Sequence, residues 1–317
     1  MSVSYVILTC RADFTSYRDI DFANNRGVKW RALGEVVHPD FGATENPECG
    51  LRGLLNGCGD GSFASWLSDF QWLLVAVPTE TIIDLGDEVR FPRGEVIFSS
   101  QDRLAVIAEL ERLNPETKHM PVIGAARSSM SKYALVFTGD HGTATSKLGG
   151  TSISGDHGTS TSGCYGKSVS GYKGTSISRH NGTSISKEYG TSTSLDDGTS
   201  TSGSQGAATS GDRGKSTSGD GGKSTSGEGG TSISGKYGTC ISGRKGKSIV
   251  DIHGKAKSGL EGNLILSYED NGNIKTASFF VDGETVKADT FYKCVDGKLV
   301  EVLNCTRWCC QSVQSVL

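Results

Sequence analysis

Gly-Lys-Ser occurs four times in this sequence, starting at Gly166, Gly214, Gly222 and Gly246. That triplet ends the phosphate loop of nucleotide-binding sites, where the lysine meets phosphate oxygens and the hydroxyl holds Mg2+. A complete loop needs a further glycine five residues before the second one. Those positions hold Thr161, Thr209, Thr217 and Ile241, so the triplets reflect a repeat and not a nucleotide site. Serine is abundant and His157, His180 and His253 recur, but each histidine stands at a position that varies between repeats. A Ser-His-Asp site needs a preorganised pocket, which a uniform array does not supply. Asp156, Glu188 and Glu228 share their repeat position with Lys236 and Arg244, and the period is eight. A calcium β-roll needs aspartates in register on a nine-residue repeat, so calcium is not expected. No cofactor and no metal site is expected.

Two further stretches could do chemistry. Cys49-Gly-Leu-Arg-Gly-Leu-Leu-Asn-Gly-Cys-Gly-Asp-Gly-Ser62 is glycine-rich and carries Arg52, Cys58 and Asp60. Successive backbone N–H groups in such a loop can cradle an anion, and these three side chains are the candidate site of an N-terminal activity. The competing reading is a loop packed near Trp66 and Trp72. His38-Pro-Asp40 is a similar suggestion. Near the C-terminus, Cys305, Cys309 and Cys310 lack the spacing of a structural zinc site and read as part of a loose tail.

The elements that carry these residues are set by the repeat. The chain has 44 glycines in 317 residues, about twice the usual share of ~7%. Glycine falls on every eighth position from Gly142 to Gly262, sixteen times without a miss. Counting that glycine as position zero, position one is mostly Thr, with Lys at 167, 215, 223, 247 and 255. Position two is small. Position three is β-branched in every repeat but one, Lys257. Position four is Ser in thirteen successive repeats, from Ser146 to Ser242. Position five is Gly in ten of fifteen repeats, and positions six and seven vary freely.

Alternation over four residues marks a short strand, and the variable Gly-bounded segment marks a turn. The position-zero glycine must need either positive φ or close backbone approach. Two strand-turn units make a flattened sixteen-residue coil, and the array makes about eight coils, on the order of 40 Å long at ~4.8 Å per coil. Lysine at position one cannot be buried without a large penalty. Positions one and three are therefore expected outside, and positions two and four inside, with the serine hydroxyls paired in a ladder along the axis. The alternative, with Ile, Val and Thr of position three inside, would invert the surface.

Outward, the repeats starting at Gly142, Gly158, Gly174 and Gly190 put Thr143, Thr159, Thr175 and Thr191 in one row, which loses regularity at Ala207 and Lys223. The opposite face mixes Thr151, Lys167, Thr183, Thr199, Lys215, Thr231 and Lys247. These residues, with Ile177, Ile185 and Ile233 of position three, are the candidate binding surface.

The expected fold class is mainly β: a two-sided parallel β-solenoid over 139–262, an N-terminal α+β domain over 1–138, a small β cap over 263–303 and a tail over 304–317. Val3–Cys10, Gln71–Val77 and Glu95–Phe98 read as strands. Gln101–Leu113 reads as an amphipathic helix with Val106, Ile107, Leu110 and Leu113 on one face. Asn271-Gly272, Asp282-Gly283 and Asp296-Gly297 are hairpin signals. Both flanks can cap the open ladders of a solenoid. A net charge of −3 gives no pull toward nucleic acid. No apolar run is long enough to span a membrane. With no signal peptide in the sequence and an odd number of scattered cysteines, nine in all, the expectation is a cytoplasmic location.

Two resemblances follow from these motifs. The glycine-rich loop at 49–62, Gln71–Val77, Phe91-Pro-Arg-Gly-Glu-Val-Ile-Phe98, the octapeptides and Val286-Lys-Ala-Asp-Thr-Phe-Tyr292 together resemble a family of phage and bacterial proteins. That family carries Gly-Thr-Ala-Thr-Ala-Gly-x-x arrays between similar flanks. The resemblance implies architecture and no particular activity; here Ser replaces most of the family's Ala. Ser-Gly171-Tyr-Lys-Gly-Thr-Ser-Ile-Ser178 is similar to the sixteen-residue coils of bacterial ice-nucleation proteins and to Thr-x-Thr antifreeze solenoids. That resemblance implies threonine rows that order water.

Three functions are therefore in view. The first is a non-enzymatic solenoid whose faces bind a macromolecular partner or a second copy. The second is ice binding through the threonine rows. The third is an enzyme or toxin in residues 1–138 carried on a solenoid stalk. The regularity of the array points away from catalysis.

Overall fold

The computed structural model describes residues 2–15, 29–37 and 50–302. His38, Asp40, Cys49 and the cysteines at 305, 309 and 310 lie outside the described residues. The chain divides into two compact units, Met1–Arg127 with Phe137–Thr143, and Ser128–Val136 with Ala144–Leu317.

Among the described residues, the first unit is an antiparallel sheet with one α-helix. Its strands are β1 (Val3–Arg11), β2 (Gly34–Val37), β3 (Leu51–Leu55), β4 (Phe70–Pro78), β5 (Ile83–Asp84), β6 (Val89–Phe91) and β7 (Arg93–Ser100), in the order β2-β7-β4-β1-β3-β6-β5. Alternation along β1 and β4 feeds two apolar clusters. One contains Val6, Leu8, Trp30 and Phe91. The other contains Ile7, Leu74 and Val106, Ile107 and Leu110 of α1 (Arg103–Leu113). Asp102 caps α1 by accepting the Leu104 N–H at 2.9 Å. The strands and the helix fall where their patterns place them.

The second unit is the parallel β-solenoid. Two short strands, β8 (Ala126–Ser128) and β9 (Leu135–Phe137), precede it. Fifteen strands of three or four residues follow, from β10 (Thr143–Thr145) to β24 (Lys255–Ser258). Even-numbered strands from β8 to β24 stack in an eleven-stranded sheet, completed by β27 (Tyr292–Val295) and β28 (Lys298–Glu301). Odd-numbered strands from β9 to β25 (Asn263–Asp270) stack in a ten-stranded sheet, completed by β26 (Asn273–Phe280), so each sixteen-residue coil contributes one strand to each. Register is constant: Thr159 lies beside Thr175 and Thr151 beside Lys167.

The array ends in antiparallel strands. β25 pairs with β26 through the Asn271-Gly272 turn. β27 pairs with β28 through Asp296-Gly297. The remaining signal, Asp282-Gly283, makes no hairpin. Asp282 Oδ1 accepts the N–H groups of Glu284 and Val286, both at 2.9 Å, and this local turn competes with strand pairing. Val250, Leu264 and Leu266 replace interior serines here and join Val281 and Tyr292 in an apolar plug. Leu260, at a turn tip, is exposed instead.

Candidate binding surface of the solenoid

The surface follows from the interior. Positions two and four are buried in coil after coil: Ser152, Ser160, Ser168, Ser176 and Ser184 are all 0% exposed. Position three points out, with Ile153 and Ile177 each 38% exposed. Lys167, Lys215, Lys223 and Lys247 are exposed as their charge requires. The serine-lined interior is thus the arrangement adopted, and the inverted one is not.

Most of the hydroxyls are paired, chiefly across the interior, while those of Ser154, Ser186, Ser192, Ser202 and Ser210 have no partner. The Ser146 and Ser152 hydroxyls are 2.8 Å apart, and Ser152 donates to the Thr161 carbonyl at 2.5 Å. The same motif recurs from Ser178 and Ser194: Ser184 and Ser200 each bond a hydroxyl six residues earlier and a carbonyl nine residues later. Both partners lie in the opposite sheet. Bonds along the axis exist, such as Ser218 to Ser234 at 3.0 Å and Ser242 to Ser258 at 2.9 Å, but they are fewer. The axial ladder expected from sequence is therefore secondary. With side chains this small, the sheets come close enough for one sheet's hydroxyl to reach the other's backbone.

The turns explain the glycines. Positive φ falls on position seven, not on position zero: His157 has φ 54, Tyr165 57, Lys173 51 and Asn181 54. Side chains are tolerated there because the N–H is locked to the coil above, as in His157 N–H to the Tyr172 carbonyl at 2.8 Å. Position zero is glycine because of close approach. A Cβ on Gly166 would stand 2.7 Å from Ser162 Cβ and 2.8 Å from the Gly150 carbonyl oxygen.

Fixed turns and a fixed interior hold the outward side chains in straight rows. In the even-numbered sheet, Thr159, Thr175 and Thr191 are successive neighbours, followed by Ala207 and Lys223. Position three of that sheet adds Thr161, Ile177, Thr193, Thr209 and Thr225. Thr143 begins the first row. Lysines close the grid at its C-terminal side, where Lys255 and Lys257 place their ammonium groups 5.1 and 5.2 Å from the Phe291 ring centroid.

The odd-numbered sheet is different. Thr151, Lys167, Thr183, Thr199, Lys215, Thr231 and Lys247 follow one another at position one. At position three, Ile153, Val169 and Ile185 form an aliphatic row, Thr201 and Thr217 interrupt it, and Ile233, Ile249 and Ile265 resume it. Sorting position three with period sixteen separates this row from the threonines; period eight mixes them.

The turn edges carry charge and aromatic pairs. Arg213 meets Asp197 at 2.6 Å and holds its carboxyl below the usual carboxylate range. On the other edge, Tyr172 lies between His157 and Tyr189, with ring centroids 5.9 and 5.5 Å away. The Gly-Lys-Ser triplets sit at strand starts, and their hydroxyls, including Ser168 and Ser216, are fully buried, 0% exposed.

In the first unit, Arg52 forms an ion pair with Glu88 at 2.5 Å. Burial pushes the Cys58 thiol up to about 11, which withholds the thiolate a nucleophile needs. Asp60 accepts the Ser62 N–H at 2.8 Å and caps a single helical turn. The loop around them is packed: Trp66 donates its indole N–H to the Gly61 carbonyl at 2.9 Å and contacts Trp72 edge-on at 5.2 Å.

The fold and these rows define a β-solenoid tandem-repeat protein. Part of the solenoid resembles bacterial ice nucleation proteins. An ice nucleation protein of Pseudomonas syringae and one of Pseudomonas syringae pv. syringae are each 37% identical to this chain over 79 residues. The match covers 24% of this chain and 7% of each relative, so the chain spans a small fraction of their length. No protein family model matches the chain, and no solved structure matches it. Among the described residues, no helix is long and apolar enough to cross a membrane.

Proposed function

We propose that this protein is a non-enzymatic repeat protein that works through the outer faces of its solenoid, and that the threonine grid of the even-numbered sheet is an ice-binding surface. One observation carries the reading. Thr159, Thr161, Thr175, Thr191 and Thr193 project from in-register strands on one sheet. Their spacing is about 4.8 Å between strands and about 6.6 Å along each strand. Threonine suits the role because its branched side chain is stiff, so methyl and hydroxyl groups hold fixed places in the grid. Water bound to such a grid becomes ordered without a cost in side-chain rotamers. The partial likeness to ice nucleation proteins supports this assignment. The grid spans few coils, so it templates too little area to seed freezing. Adsorption to existing ice is the expected mode.

The test is thermal hysteresis and inhibition of ice recrystallisation by the purified chain. Thr175→Tyr and Thr191→Tyr should abolish both effects while leaving circular dichroism unchanged. Thr183→Tyr, on the odd-numbered sheet, should leave them intact. Absence of activity at high protein concentration, or equal loss with Thr183→Tyr, would remove the proposal and leave a macromolecular partner as the reading of these faces.

A further inference from the structure

The edge strands of the described sheets differ sharply in length. β2 has four residues and β5 two in the seven-stranded sheet; β8 has three and β28 four in the eleven-stranded sheet. β9 has three residues, but β26, at the other edge of the ten-stranded sheet, has eight. Short edges protect a sheet against pairing with another chain; a long one invites it. β26 contains no proline and one charge, Lys275, which is held by Asp270 at 2.5 Å.

Its side chains are also self-complementary. Ile274 is 57% exposed and Phe280 is 56% exposed. Separated by an even number of residues, they stand on the same side of the sheet. A two-fold axis through Ala277, perpendicular to the sheet, pairs β26 antiparallel with a second β26. It sets Ile274 opposite Phe280 of the second copy, Thr276 opposite Ser278, and repeats both pairs on the other side of the axis. Sliding the strands to centre on Thr276 loses this match, because Phe280 then faces Gly272 in the turn. An isologous contact of this kind closes on itself.

We propose that two copies of this protein associate through β26, joining their ten-stranded sheets edge to edge into one continuous sheet, with the Ile274–Phe280 pairs fixing the register. The ice-binding reading is independent of this contact.

Sedimentation equilibrium of the full chain over a range of concentrations tests it. The unaltered chain should reach a dimer and go no further. Ile274→Glu and Phe280→Lys should each weaken the dimer about tenfold, since each removes two symmetry-related apolar pairs. Both substitutions in one chain should restore association, because each new charge faces its opposite across the axis. Within one chain the two sites are about 20 Å apart and cannot meet. Circular dichroism checks that every variant is folded. A monomer at all concentrations, single variants that associate unchanged, or a double variant no better than the singles would each overturn the proposal. Association insensitive to both residues would assign the contact to another surface or another partner, and would overturn it too.

Discussion

Ala208 shows at the residue scale what the serine interior contributes. It sits at position two, beside Ser192 and Ser224 in its sheet. Where the interior network is complete, a position-two hydroxyl bonds the serine six residues earlier and the carbonyl nine residues later, as Ser184 does with Ser178 and Thr193 and Ser200 with Ser194 and Thr209. Ser192 and Ser224, beside Ala208, do not follow it. At Ala208 the corresponding groups are Ser202 and the Thr217 carbonyl. The Ser202 hydroxyl is buried, 4% exposed, and has no partner. A buried donor left unmade is costly, and one hydrogen bond regained contributes about 1 kcal/mol. Ala208→Ser should therefore stabilise the protein by about 1 kcal/mol in urea denaturation. The space is suited to serine, which fills this position in the flanking coils. A neutral or destabilising result would show that the cross-interior bonds are not a net source of stability.

At the scale of the element, the turn couples residues fifteen apart. Asp156, Asp196, Asp212 and Asp220, all at position six, accept the N–H of the position-six residue one coil on, at 2.7 to 3.0 Å. The position-five residue beside each bond is glycine: Gly171, Gly211, Gly227 and Gly235. A Cβ there would stand 2.0 to 2.1 Å from the aspartate Oδ1. The non-glycine residues at position five, such as Arg179 and Lys187, follow Cys164 and Tyr172 instead of aspartate. Asp212→Ala should cost about 1 kcal/mol. Gly227→Ala should cost more in the unaltered chain than in the Asp212→Ala background, with a coupling of at least ~0.5 kcal/mol in a double-mutant cycle. Additive effects would mean that backbone crowding alone dictates the glycine. This pairing was present in the sequence as an Asp followed by Gly at fifteen residues, yet a repeat read with period eight hides it. Period eight was enough for the strands, the coil and the buried serines, because lysine at position one fixes the facing of every repeat. It was not enough for the aliphatic row at Ile153, Val169 and Ile185, which needs period sixteen. Nor could it place positive φ on His157 or Lys173, since that conformation is set by hydrogen bonds to the coil above and leaves no mark on residue type.

Over the whole molecule, both units hold fully buried thiols, Cys10 in the first and Cys240 in the second. Burial pushes Cys10 up to about 12 and Cys58 up to about 11, both within the apolar clusters of the first unit. In the solenoid, Cys240 stands where most coils have serine; burial pushes it up to about 12, and its thiol donates to the Ile249 carbonyl at 2.8 Å. A raised thiol pKa has a definite sign in the balance between folded and unfolded chains. Below the ordinary value of 9.0 both states are protonated, and pH has no effect through this group. Above it the unfolded chain releases the proton and the folded chain retains it, so stability falls as pH rises, until the folded thiol ionises near 12. Cys240→Ser removes this term from the solenoid without emptying the site, because a serine hydroxyl can donate to the same carbonyl. Lysine and tyrosine titrate in the same alkaline range, so the informative quantity is the difference in unfolding free energy between the variant and the unaltered chain. That difference should be constant up to about pH 9 and then grow in favour of Cys240→Ser as pH rises. The two thiols of the first unit are common to both proteins and cancel. A difference independent of pH would mean that Cys240 ionises in the folded solenoid as readily as in water. That would require the closely spaced sheets around it to open well below their unfolding transition.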